Sequence, residues 1–77
     1  MTFETFRDYF YMQKPFEFCY KNKTYRISFE KENSNIVILL GERFSTPEKY
    51  SNMDSLLYEA FLEGHYFKDI LPEIKIV

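Results

Sequence analysis

The sequence predicts an α+β domain. Its two layers are a three- to four-stranded antiparallel sheet, a β-meander, and N-terminal and C-terminal helices on one face of that sheet. Three observations predict it. Phe16–Tyr20 and Thr24–Glu30 alternate strictly between apolar and polar residues, the pattern of strands with one buried face. Phe3, Phe6 and Phe10 fall on one stripe at helical spacing, and Met53, Leu56, Leu57, Ala60 and Phe61 recur at i, i+3, i+4, i+7 and i+8. The order of elements is α-β-β-β-α, and helices on one face of an antiparallel meander make a two-layer α+β domain.

The elements follow in order. Thr2 caps a helix that runs to Gln13, with Glu4 in its first turn where the helix dipole favours an acid. Pro15 ends it and biases Lys14 toward an extended conformation. A hairpin comes next, with Asn22-Lys23 as its two-residue turn, since Asn tolerates the positive φ such turns demand. That turn pairs Tyr20 with Tyr25, Phe18 with Ile27 and Phe16 with Phe29. A third strand, Ile36–Leu40, returns after a turn at Asn33-Ser34. This places Phe29 opposite Ile38 and Ile27 opposite Leu40. Ile36, Ile38 and Leu40 then join the core face, and Val37 and Leu39 point the other way beside Ser28 and Glu30.

Glu42–Asn52 reads as a connection, with Thr46-Pro47-Glu48 as one helical turn. Ser51 or Asn52 caps the last long helix, and Gly64 stops it. Tyr66–Leu71 forms a short helical turn ended by Pro72, and Glu73–Val77 alternates weakly, as an edge strand does.

Seventy-seven residues make one domain, residues 1–77. A chain of this size buries only about 60% of its unfolded surface, so large side chains are the efficient core material. Nine Phe and seven Tyr, 21% of the residues, supply them. Cys19 is the sole cysteine, so an internal disulfide is impossible and a reducing compartment is implied. The N-terminus lacks the basic start and apolar run of a signal peptide. The longest apolar run, Ile36–Leu40, is too short to cross a bilayer. These features point to the cytoplasm and away from a membrane.

A net charge of −2 argues against a general nucleic-acid binder. The charge is unevenly spread. Lys14, Lys21, Lys23, Arg26 and Lys31 face only Glu17 and Glu30 in the hairpin region, whereas the chain from Glu42 onward has four bases and seven acids.

The hairpin has the form Phe-x-Phe-x-Tyr-Lys-x-Lys-x-Tyr-x-Ile, here Phe16 to Ile27. Tyr50 then precedes a helix containing Leu56-Leu57. Gly64 is followed by Phe67-Lys68-Asp69-Ile70 and Glu73-Ile74. In these features, from about Phe16 to Ile76, the chain resembles a family of small uncharacterised proteins from low-GC Gram-positive bacteria and their phages and mobile elements. It departs from the pattern at Asn22, where Gly is usual, and at Pro72. The matching positions are apolar, turn or cap residues. The resemblance therefore implies an architecture and a bacterial or phage origin, and no activity.

No catalytic, cofactor-binding or metal-ligating constellation is present in the sequence. His65 is the sole histidine and follows a helix-ending glycine, the place of a surface or capping residue. Cys19 lies on the polar face of the hairpin opposite Arg26, where it reads as a small strand residue. Glu59 and Glu63 form an i, i+4 like-charge pair on the outer side of the last long helix. Gly41 and Gly64 are too few for a phosphate loop.

Two functional readings follow. The first is a non-enzymatic protein-interaction module, a homodimer or a binder of a host protein. Its candidate interface is Val37 and Leu39 on the outer sheet face, with Tyr58 and Leu62 on the flank of the last helix. Tyr11, Tyr50 and Tyr66, which find no obvious place in the core, add to the apolar surface. The alternative is a nucleic-acid-associated regulator using the basic patch Lys21, Lys23 and Arg26. Alternation puts Tyr20 and Tyr25 on the opposite face from Arg26, which splits the stacking platform this reading needs.

Overall fold

The computed structural model describes all residues from Met1 to Val77. Helix α1 (Phe3–Met12) begins where Thr2 accepts a hydrogen bond from the Thr5 amide at 3.1 Å. It ends on Gln13, which takes the left-handed conformation in place of a glycine and donates its amide to the Phe10 carbonyl. Three strands follow: β1 (Phe16–Tyr20), β2 (Lys23–Glu32) and β3 (Asn35–Glu42). A short β4 (Glu48–Tyr50) precedes helix α2 (Met53–Glu59), which Asn52 caps through the Ser55 amide at 2.8 Å. Two-residue strands β5 (Phe61–Leu62) and β6 (His65–Tyr66) form a separate hairpin. Helix α3 (Phe67–Ile70), a 3₁₀ turn (Leu71–Glu73) and β7 (Lys75–Ile76) close the chain.

The main sheet has five antiparallel strands in the order β4-β3-β2-β1-β7. The sequence leads to three or four. The extra strand is β4, which occupies part of the segment read as a helical turn. Pairing of Leu40 with Glu48 and of Ile38 with Tyr50 satisfies the open edge of β3. The C-terminal segment is an edge strand, with Phe18 opposite Ile76 and the Val77 amide bonded to the Glu17 carbonyl at 2.9 Å.

A longer loop joins β3 to β4, and the other three hairpins use two-residue turns with positive φ at both positions: Lys21-Asn22, Asn33-Ser34 and Glu63-Gly64. This backbone matches the right-handed twist of the flanking strands. The second turn and its register are those read from the sequence. The first turn lies one residue earlier, so Phe18 faces Tyr25 and Phe16 faces Ile27. The reason is that Asn22 takes the second central position, leaving Lys23 free to begin the strand. Moving the turn by one residue shifts the pairing by two, so every side chain keeps its face.

Seventeen residues are buried, all of them apolar, and sixteen form one cluster drawn from the helices and the sheet. Phe6 of α1, Phe18 of β1 and Phe67 of α3 meet at its centre. The Phe6 and Phe67 rings lie 5.7 Å apart, and those of Phe18 and Phe67 6.2 Å apart. Phe18 also stacks on Tyr25 at 5.5 Å. The seventeenth buried residue is Val37, on the other sheet face. Its burial within the single chain corrects the expectation of an interface residue open to a partner. Lys49 of β4 and Glu32 of β2 pair across β3, and the register places Val37 beneath their span. Long polar side chains cover a small branched residue with their aliphatic stems.

Phe18→Ala should lower stability by about 3–5 kcal/mol in chemical denaturation, because a ring at the cluster centre leaves a cavity that three elements cannot all close. Gly41→Ala should cost about 1–3 kcal/mol in the same measurement. A Cβ there would lie 2.8 Å from the Pro47 Cα, so the loop after β3 must move.

Candidate functional site

The principal difference between sequence and structure concerns the end of α2. The helical stripe continues to Phe61, yet the helix stops at Glu59, and Ala60 adopts an extended conformation. Beyond that point the period changes from 3.6 to 2, which exchanges the roles of two residues. Phe61, read as core, is 57% exposed. Leu62, read as surface, packs against the core. Gly64 occupies the second position of a hairpin turn instead of stopping a helix. A Gly-containing turn flanked by Phe61-Leu62 and His65-Tyr66 is the sequence signal that identifies this hairpin.

The hairpin exposes aromatic surface. The rings of Phe61 and Tyr66 stack edge to face at 5.1 Å, and Tyr66 is 44% exposed. Tyr58, on the preceding helix, is 60% exposed, with the Lys68 ammonium 5.9 Å above its ring. Of the four apolar candidates from the sequence, only Tyr58 is open to solvent. Val37 is 5% exposed, and Leu39 and Leu62 are half-buried. Tyr11 is exposed, whereas Tyr50 packs partly against the core.

A polar latch ties this hairpin to the main sheet. Glu63, at the turn, receives the Lys23 ammonium at 2.9 Å and the Tyr25 hydroxyl at 3.3 Å, and Lys23 also lies 3.7 Å from Glu42. The sequence pairs Glu63 with Glu59 on a helix face; the early end of α2 removes that arrangement. Lys23 holds the Glu63 carboxyl below its usual value, first through the hydrogen bond and then through charge. Glu63 raises Lys23 by the same two effects. Burial, followed by the charge of Glu63, pushes the Tyr25 phenol up.

The basic hairpin is largely paired. Lys23 is in the latch, and Arg26 lies 3.9 Å from Glu17. Lys21 stands at the turn, with its ammonium 5.7 Å from the Tyr20 ring centre. Tyr20 and Tyr25 are both buried, so neither offers an open ring. Cys19 is exposed and faces Thr24, with its sulfur 3.8 Å from the hydroxyl. His65 is exposed and pairs with Leu62 across the small hairpin. The two residues lie in separate sheets and do not meet.

The latch has a defined pH window. The Glu63 carboxyl is a stronger acid folded than unfolded, so the folded chain binds fewer protons there. Its contribution is present above 4.5 and is lost as pH falls through the lowered value. Lys23 behaves oppositely: its share is complete below 10.5 and is lost as pH rises through the raised value. Glu63→Gln should therefore melt below the wild type at neutral pH, and the difference should shrink to nothing in acid. Thermal melts followed by circular dichroism from about pH 7 to about pH 2 check this.

Comparison of the chain with protein-family models, with curated proteins and with solved structures finds no match, so its functional reading rests on this geometry.

Proposed function

We propose that this chain is a non-enzymatic protein-interaction module. It self-associates or binds a host protein, in the manner of accessory proteins of phages and mobile elements in low-GC Gram-positive bacteria. The observation that carries the reading is the exposed aromatic set Tyr58, Phe61 and Tyr66 on α2 and the latched hairpin. Aromatic side chains at such density on a small surface are the usual anchors of a protein interface. The latch supports the reading because a hairpin held in place loses little freedom when a partner docks.

Size adds a constraint. A standard interface covers about 800 Å² on each partner, roughly a sixth of the 4980 Å² that this molecule exposes. The hairpin alone is too small, so α2 contributes as well. In this reading the helices cover one face of the sheet, since the sheet residues in the core cluster occupy one alternating set. The unpaired thiol of Cys19 suits the cytoplasm. No helix is long and apolar enough to cross a membrane. The nucleic-acid alternative has less support, because carboxylates face Lys23 and Arg26 and the neighbouring tyrosines are buried.

Replacing Phe61 and Tyr66 together by Ser should leave the fold intact, since both rings are exposed. In a self-associating protein it should reduce the mass seen by light scattering from dimer to monomer. In a binder of another protein it should remove a partner that the wild-type bait retains from host extract. A wild-type monomer whose captured proteins are the same as those of the double variant would refute the reading.

A further inference from the structure

Phe44 is 97% exposed and holds φ at +68°. A bulky residue in the left-handed region is strained, and this one gains no burial in return. It stands at the mouth of a polar cavity of about 260 Å³ on the outer sheet face. Arg26 and Ser28 of β2 and Gly41 of β3 line its floor, and Arg43, Ser45 and Pro47 line its wall. The wall is anchored. The Arg43 amide donates to the Thr24 carbonyl at 2.8 Å, and the Ser45 amide donates to the Glu42 carbonyl at 3.0 Å. Pro47 closes over Gly41 at a distance that a side chain there would prevent.

The cavity brings two guanidinium groups and two hydroxyls together. Glu17 lies between the two guanidinium groups, 3.9 Å from Arg26 and 3.5 Å from Arg43. These distances are long for N–H···O bonds, so the contacts are Coulombic and the N–H groups keep their donor capacity. The Glu42 carboxylate also borders the cavity, but it faces Lys23. Lys23 is shared between Glu42 and Glu63, so the three bases and three carboxylates of this region balance, and the two guanidinium groups have only Glu17 between them.

We propose that this cavity is a phosphoryl-binding site that takes a phosphorylated side chain of a protein partner; the assignment rests on reading the chain as a protein-interaction module. Arg26 and Arg43 form the fork, the Ser28 and Ser45 hydroxyls add donors, and Phe44 contacts the residue beside the phosphate. Three features select this ligand. The cavity is smaller than the roughly 300–1,000 Å³ of sites for drug-sized molecules and admits one charged group. A phosphoryl group carries about −1.5 to −2 charge and three acceptor oxygens, so it outcompetes Glu17, whereas a carboxylate merely equals it. A polyanion is disfavoured because Glu30 and Glu32 lie on the same sheet face and the chain carries a net charge of −2.

The test is an NMR titration of the full ¹⁵N-labelled chain with inorganic phosphate, phosphoserine and phosphotyrosine. Serine, tyrosine and a short single-stranded oligonucleotide serve as comparisons. The phosphorylated probes should shift the amides of Ser28, Gly41, Phe44 and Ser45 in a saturable way, and the unphosphorylated ones should not. Arg43→Ala and Arg26→Ala should each weaken binding about tenfold or more. Arg43→Lys and Arg26→Lys, which keep the charge and lose the fork, should fall between and serve if an alanine variant fails to fold. Glu17→Gln should bind about two- to fivefold tighter, because the competing carboxylate is gone. Shifts that survive in the arginine variants, or a Glu17→Gln variant that binds no tighter, would overturn the site. An oligonucleotide that binds more tightly than the phosphoamino acids, with steep salt dependence, would reassign it to nucleic acid. The titration needs no partner protein, so a failed pocket leaves the aromatic surface standing, and a failed aromatic surface leaves the titration unchanged.

Discussion

The contact of Phe6, Phe18 and Phe67 holds the molecule together. These rings come from the first helix, the first strand and the third helix, and all three are fully buried. No disulfide is available, and no polar side chain is buried, so apolar burial carries the stability. Phe67 has a second consequence. Its amide donates to the Ala60 carbonyl at 2.9 Å, which closes the base of the β5–β6 hairpin. The exposed ring pair of Phe61 and Tyr66 therefore stands on the same residue that completes the core.

The two sheet faces are stabilised by different physics. The core face is aromatic and aliphatic. The outer face consists of charged rows in which Glu17 faces Arg26 and Arg43, and Glu32 pairs with Lys49 across Val37. Exposed pairs of this kind contribute little stability. Their effect is one of placement, since they hold long side chains over a backbone that would otherwise face water. The loop after β3 lies on this face because Gly41 lets Pro47 approach, and that approach builds a concave polar site on a flat sheet.

An aromatic content of 21% exceeds what a core of this size absorbs. Phe3, Tyr11, Phe44, Tyr58, Phe61 and Tyr66 remain outside. The first two lie on α1, and the last four occupy a loop, a helix flank and a hairpin. The proposed interface and the proposed phosphoryl site draw on the latter residues, and neither disturbs the packing that defines the fold. Lys23 and Glu63 link the two regions, since Glu42, which also faces Lys23, borders the polar cavity.

The residues alone determined the α+β class, helix α1 with its Thr2 cap, the alternating faces of β1 to β3, and the second hairpin with its register. Each of these follows from local periodicity or turn chemistry, which neighbouring residues decide among themselves. Only the tertiary structure decided the remainder. The stripe from Met53 to Phe61 fits a helix throughout, but the chain leaves the helix after Glu59, where the Ala60 carbonyl accepts the distant Phe67 amide. From there Leu62 faces inward and Phe61 outward. Strand β4 forms because β3 has an open edge, a long-range condition that Glu48–Tyr50 do not display in their sequence. The arginine pair is likewise hidden in the chain. Arg26 and Arg43 are far apart along it, and they share a cavity because β2 and β3 pair and the following loop folds back over Gly41. Local interactions act before the chain has closed on itself, whereas contacts between distant residues exist only once the core has formed.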